Sequence, residues 1–217
     1  MGQAYNVSPI AFNIEPKTGT LITMVDDVVS GVIPIGFQFC YWGNKYTQCY
    51  IGSNGFVSFS AGQPIAFTPF PIPLANAITP RNCIMSPFHD LHPGVAGFPI
   101  TPMTYVYYYT TGIAPNRRMV VSWNNCPMYT CTAIRSTQQI VIYETTNVIH
   151  TNIEKKSTCV AWVNGYATHG LHNVNATQAI IVLGRNATQW AIAPAGESWE
   201  FIPTECCYIF DSECEIN

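Results

Sequence analysis

The stretch IGFQFCYW, residues 35–42, places Ile35, Phe37, Phe39 and Tyr41 on one side of an extended chain and Gln38 and Cys40 on the other. Successive side chains of a strand face opposite sides of a sheet, so this alternation belongs to a strand with one face in a core. A helical period is nearly absent from the chain, and the two-residue period recurs in MTYVYYYTTG, RRMVVSW, TQQIVIYE and VIHTNIEK, spaced about 10 to 15 residues apart with polar turns between. Asn54-Gly55 separates two β-rich runs near 46–51 and 56–60. Because both residues tolerate positive φ, the pair signals a hairpin. ETTN, 144–147, reads as the turn of another. The stretch AGQPIAFTPFPIPLANAITPRN, with five prolines, cannot donate the ladder bonds of a central strand and reads as a long surface crossing. The closing strands are QAIIVLG and ESWEFIP. The expected fold is a single all-β antiparallel sandwich, jelly-roll-like, of about ten to twelve strands over residues 1–203, followed by a cysteine-rich acidic tail, 204–217.

Of the 217 residues, 48% are hydrophobic and only 10% charged, against roughly 25% charged in an ordinary soluble domain. The exterior must therefore be built from Thr, Ser, Asn, Gln and Tyr, which suits a surface that pairs with neighbours. Nine Lys plus Arg and a net charge of −3 leave no basic footprint for nucleic acid or anionic membrane. No apolar run approaches the roughly 18 to 20 residues of a membrane-spanning helix. MGQAYNVSPIAF lacks the pattern of a signal peptide. The expectation is either a processed piece of a secreted protein or a chain exported by another route, as virion proteins are.

Nine cysteines, an odd number, leave at least one thiol unpaired within the chain. Their spacing fits no zinc ribbon. The disulfide candidates are Cys126, Cys131, Cys206, Cys207 and Cys214. Cys40 and Cys83, in apolar strands, read alternatively as small buried hydrophobes.

NCIMSPFHDLHPG, residues 82–94, gathers His89, Asp90 and His92 at a strand end turned by Pro93-Gly94. On a strand, residues 90 and 92 face one side and 89 the other, so a shared metal site requires the chain to turn there. The expected role of Asp90 is to cap the loop by accepting backbone N–H bonds, with a metal site the sharper reading. Asp26-Asp27 is a second acidic spot. Packed beside Asp90, it would complete an oxygen cage for calcium; a solvated turn is the plainer expectation. No G-x-S-x-G or P-loop is present, and Glu144 and Glu154 read as solvated charge rather than a glycosidase pair, so no enzyme is expected. Tyr105, Tyr107 and Tyr109 share one strand face. Together with Trp190 they could stack on glycans or anchor an interface, the competing expectation being inward packing as core.

FQFCYWGNKYTQCYIGSNGFVSF, NCIMSPFHDLHPG, RRMVVSWNNCPMYTC, TQQIVIYETTNVIHTNIEKK and GRNATQWAIAPAGESWEFIP, in that order, resemble a β-sandwich module of large surface adhesins of gliding, type-IX-secreting bacteria. More distantly, they resemble the extracellular NIDO domain of nidogen-type proteins. The resemblance spans about residues 20–203. It implies a non-enzymatic, extracellular or cell-surface module for adhesion or assembly, associating with itself or other proteins; a bacteriophage virion component is the alternative setting. His92 stands where that family commonly has a second acid, which removes one hard oxygen ligand from any calcium role of its loop.

Overall fold

The computed structural model describes residues 4–94 and 105–204. Among them fourteen strands make two antiparallel sheets packed as a sandwich. In chain order these are β1 (Tyr5–Ile10), β2 (Thr20–Ile22), β3 (Ile33–Tyr41), β4 (Asn44–Gly52), β5 (Phe56–Ser58), β6 (Cys83–Phe88), β7 (Tyr105–Thr111), β8 (Arg118–Pro127), β9 (Arg135–Tyr143), β10 (Ile149–Lys155), β11 (Tyr166–His172), β12 (Ala179–Ile181), β13 (Thr188–Gln189) and β14 (Glu197–Pro203). One sheet runs β1-β14-β10-β9-β8-β7-β2, the other β12-β11-β6-β5-β4-β3, with β13 paired to β11. The strand number exceeds the expected range because short strands such as β2 and β13, of three and two residues, are too brief to show a period.

The alternating apolar positions meet between the sheets. Met119, Val121, Trp123, Ile140, Ile142 and Phe201 face Ile35, Phe39, Ile51, Val57, Ile84 and Leu171 in one continuous core. Each such side chain contributes about 1.5–3 kcal/mol on burial. Trp123 is fully buried, and its indole N–H donates to Gly52 O at 3.0 Å, joining the sheets.

Both outer faces are also covered. β1 and β2 lie at opposite edges of the first sheet, so residues 11–19 must cross it. Beneath that strap a polar row runs across five strands in register: Tyr107, Ser122, Gln139, Asn152 and Ser198, all buried. The strap is fastened to this row. Glu15 N–H donates to Gln139 Oε1 at 2.9 Å, Gln139 Nε2 donates back to Glu15 O at 3.0 Å, and Asn13 N–H donates to Ser198 Oγ at 3.1 Å. Arg118 adds a two-point ion pair to the Glu15 carboxylate. Gly19 ends the strap where a Cβ would lie 2.4 Å from Tyr108 O. On the second sheet the proline-rich crossing seats Ala66 and Ile72 against Phe56, Met85 and Phe88. β6 is therefore buried on both faces, and its sequence CIMSPF is a nearly unbroken apolar run rather than an alternation.

The tyrosine stripe is corrected accordingly. Tyr105 and Tyr107 are buried, and Tyr109 is half-buried beside the Glu15–Arg118 pair, so the three offer no open platform for glycan or partner. The edge of β3 is blunted as well: Ile35 O accepts from Thr110 Oγ1, Gly36 O from Arg117 Nη1, and Cys40 N–H donates to Asn147 Oδ1. These side chains occupy groups that another chain's strand would need.

Candidate functional site

At one end of the sandwich several connections converge on Asp90, which follows β6. The first is the β4–β5 hairpin. Asn54-Gly55 was expected to supply two central positions of positive φ; instead the loop has three residues, Ser53, Asn54 and Gly55, and only Gly55 is left-handed, at φ 87°. This is the pattern of a type I turn closed by a glycine bulge. A Cβ on Gly55 would stand 2.1 Å from Pro87 O and 2.4 Å from Gln138 Nε2.

The turn aims the buried Asn54 side chain into the loops. Its Oδ1 accepts from Leu91 N–H at 2.8 Å, and its Nδ2 donates to Ala66 O at 2.8 Å and Asp27 Oδ1 at 2.7 Å. The residue that caps the 89–92 loop is thus Asn54, not Asp90.

Asp90, 6% exposed, turns elsewhere. Its Oδ2 accepts from the Trp162 indole N–H at 2.6 Å, and its Oδ1 is buried without a partner. Asp26 and Asp27, from the β2–β3 connection, come up beside it; one carboxylate oxygen from each of the three lies within 4.8 Å of the others. Asp26 Oδ1 is likewise buried and unpartnered. Burial pushes the Asp90 carboxyl up to about 8, opposed by the Trp162 bond and reinforced by Asp27 and Asp26. Burial and then Asp27 raise Asp26 also, while His92 favours its charge. Carboxyl groups gathered where burial and mutual proximity oppose ionisation are the chemistry of an oxygen-lined cation cage.

The two histidines do not join that cage. His89 faces away: its Nε2 meets Gln138 Oε1 at 2.9 Å, and burial lowers its pKa to about 3. His92 packs against the Tyr129 ring, at 5.7 Å between centroids, and Tyr129 packs against Trp162 at 4.9 Å. A cavity of about 10 Å³ lies between His89, Asp90, Tyr129 and Trp162, room for a single water. The loops carrying Tyr129 and Trp162 are joined by a disulfide between Cys131 and Cys159. Cys131 therefore pairs across loops, and Cys126, a disulfide candidate by its proximity in sequence, is a buried free thiol whose pKa is raised by desolvation. Cys83 is a buried thiol, while Cys40 is disulfide-bonded rather than a small apolar filler. Cys206, Cys207, Cys214 and the tail from 205 onward lie outside the described residues.

Trp190 belongs to a second polar cluster. The Arg185 guanidinium and Lys156 ammonium lie 4.1 and 4.3 Å from its ring centroid. Arg185 forms a two-point pair with Glu197, and Lys156 donates to Trp190 O at 2.6 Å. The ring thus carries the protein's own cations rather than a free face for a sugar. His169 lies in the same cluster, bonded to Thr151 Oγ1 at 2.8 Å. Nothing in the sequence marked Lys156, Arg185 and Glu197 as a group; the only signal was the scarcity of charge, which makes any buried lysine conspicuous. Glu144 and Glu154 are held by Arg117 and Lys17 respectively.

No curated protein and no solved structure matches the chain. A family model described as NIDO related matches residues 4–201, nearly all of the two sheets and every loop of the Asp90 end. With that coverage, the chain belongs to the NIDO-related family, whose domains suit structural or interaction roles.

Proposed function

We propose that this chain is a non-enzymatic, surface-exposed extracellular module that associates with copies of itself, as an adhesin-like or filament subunit. The observation that carries the reading is a mainly apolar groove of about 350 Å³ framed by the β2–β3 connection, where Ile22, Met24, Val25, Val28, Val32 and Ile33 are joined by Thr23 and Ser30. Val25 and Val32 are 59% and 51% exposed there. With charged residues only 10% of the chain, contact between two such surfaces meets little charge to desolvate. Support also comes from what the titratable groups do. His89 and Asp90 border a void of about 10 Å³, too small for an organic substrate, and the aromatic rings that could have stacked on sugars are buried or covered by cations.

Sedimentation velocity over a range of concentrations tests the proposal. The protein is expected to associate as concentration rises, and Val32→Lys, which leaves the core untouched, to shift it toward monomer. A monomer at every concentration, or a Val32→Lys protein that associates unchanged, would sink it.

A further inference from the structure

The geometry points to a calcium site formed by Asp26, Asp27 and Asp90 at the loop end of the sandwich. Three carboxylate oxygens within 4.8 Å of one another match the separations around an ion that holds its oxygens at about 2.3–2.6 Å. Acidic clusters are common on surfaces, and the cluster alone would prove little. What distinguishes this one is Asp90: the residue is only 6% exposed and sits in contact range of two further carboxylates, yet its Oδ1 is buried with no hydrogen-bond partner. Asp26 Oδ1 is unpartnered in the same way. An unsatisfied buried carboxylate oxygen is costly unless a cation or donor meets it. A water in this place could bond two of the oxygens, but it would bring no positive charge to the three carboxyl groups.

The surroundings favour calcium over other metals. The converging ligand atoms are all oxygen, which suits a hard cation; zinc and copper would want nitrogen or sulfur, and His89 is committed to Gln138 on the far side. The ligands come from two irregular connections rather than one rigid frame, which suits the variable coordination of calcium better than the strict octahedron of magnesium. Asn54 and Trp162 complete the support, each donating to one of the carboxylates and fixing its orientation. Occupancy would tie the β2–β3 connection, whose apolar side forms the groove described above, to the strand end at β6. The site stands on its own geometry whether or not the groove mediates self-association.

Calorimetric titration of Ca²⁺ into the chelator-treated full chain, with thermal melting in parallel, provides the test. One equivalent is expected to bind saturably and to raise the melting temperature by several degrees, with Mg²⁺ much weaker. Because the Trp162 indole bonds directly to Asp90, Tb³⁺ is expected to emit on indole excitation and to lose that emission when Ca²⁺ is added. Asp26→Asn, in a half-buried loop position, should weaken Ca²⁺ binding by about tenfold or more by removing one hard anionic ligand. Asp90→Asn should abolish the calcium response while leaving the melting temperature of the metal-free protein close to wild type, since the amide oxygen can still accept from the Trp162 indole N–H; replacing a merely structural aspartate would lower it. The absence of saturable heat and of any melting shift at millimolar Ca²⁺ would overturn the assignment. So would a full calcium response in both variants, or an equal response to Mg²⁺.

Discussion

Two single residues bear more than their share of this fold. Gly55 combines φ 87° with a backbone oxygen 2.1 Å from where its Cβ would be. Alanine there needs both a strained backbone and displacement of Pro87. Gly55→Ala is therefore expected to cost at least ~2 kcal/mol in urea unfolding, more than turn strain alone. Lys156 is the other. It is 2% exposed, and burial, with Arg185 nearby, lowers its pKa to about 7, Glu197 opposing. Around it stand the Trp190 ring, the buried His169 and His89, and the Arg185–Glu197 pair. In the unfolded chain a lysine keeps its proton to about 10.4, so between pH 7 and that value the unfolded state binds more protons and stability rises with pH. Unfolding at pH 7, 8 and 9 should show wild type gaining on Lys156→Met by roughly 1 kcal/mol per unit, an upper value, since thiol and tyrosine ionisation are common to both proteins.

Among the elements, the strap over residues 11–19 is the one with a testable fastening. Gln139→Ala removes both bonds to the Glu15 backbone and leaves that backbone N–H and C=O buried. A loss of about 2–3 kcal/mol is expected, with faster amide exchange confined to residues 11–19 and the β2 edge if the strap lifts as a unit. None of this was readable in the chain. The Glu15–Gln139 contact spans 124 residues, and a polar strand face is, by period alone, a solvent face. The same ambiguity hid β11, where YATHGLH has no apolar stripe because its histidines are buried through specific partners; Gly170 is needed where a Cβ would strike Ile180 O. By contrast ESWEFIP appears as β14 residue for residue, and the hairpins at Asn54-Gly55 and 144–147 lie where their turn chemistry placed them. Asp26, Asp27 and Asp90 were legible as separate acids. Their convergence depended on how two loops fold over the end of the sandwich, which no local pattern encodes.

For the molecule as a whole, the sparse charge has a consequence for how copies would meet. With 9 basic and 12 acidic side chains, several of them paired internally, long-range electrostatics contribute little. Self-association through the Val25–Val32 groove is expected to persist or strengthen in high salt, and sedimentation at low and high ionic strength checks this. The strand order holds a different consequence. Among the described strands β1 is hydrogen-bonded to β14 alone, with Tyr5 opposite Pro203, so the first strand of the sandwich finds its mate only when the other strands of the sandwich have been made. Such distant closure makes for slow folding and a long exposure of sticky edges. A nascent or translocating copy stays open at its seam until β14 arrives, and that interval is when a chaperone or a neighbouring copy's β14 could take the place meant for its own.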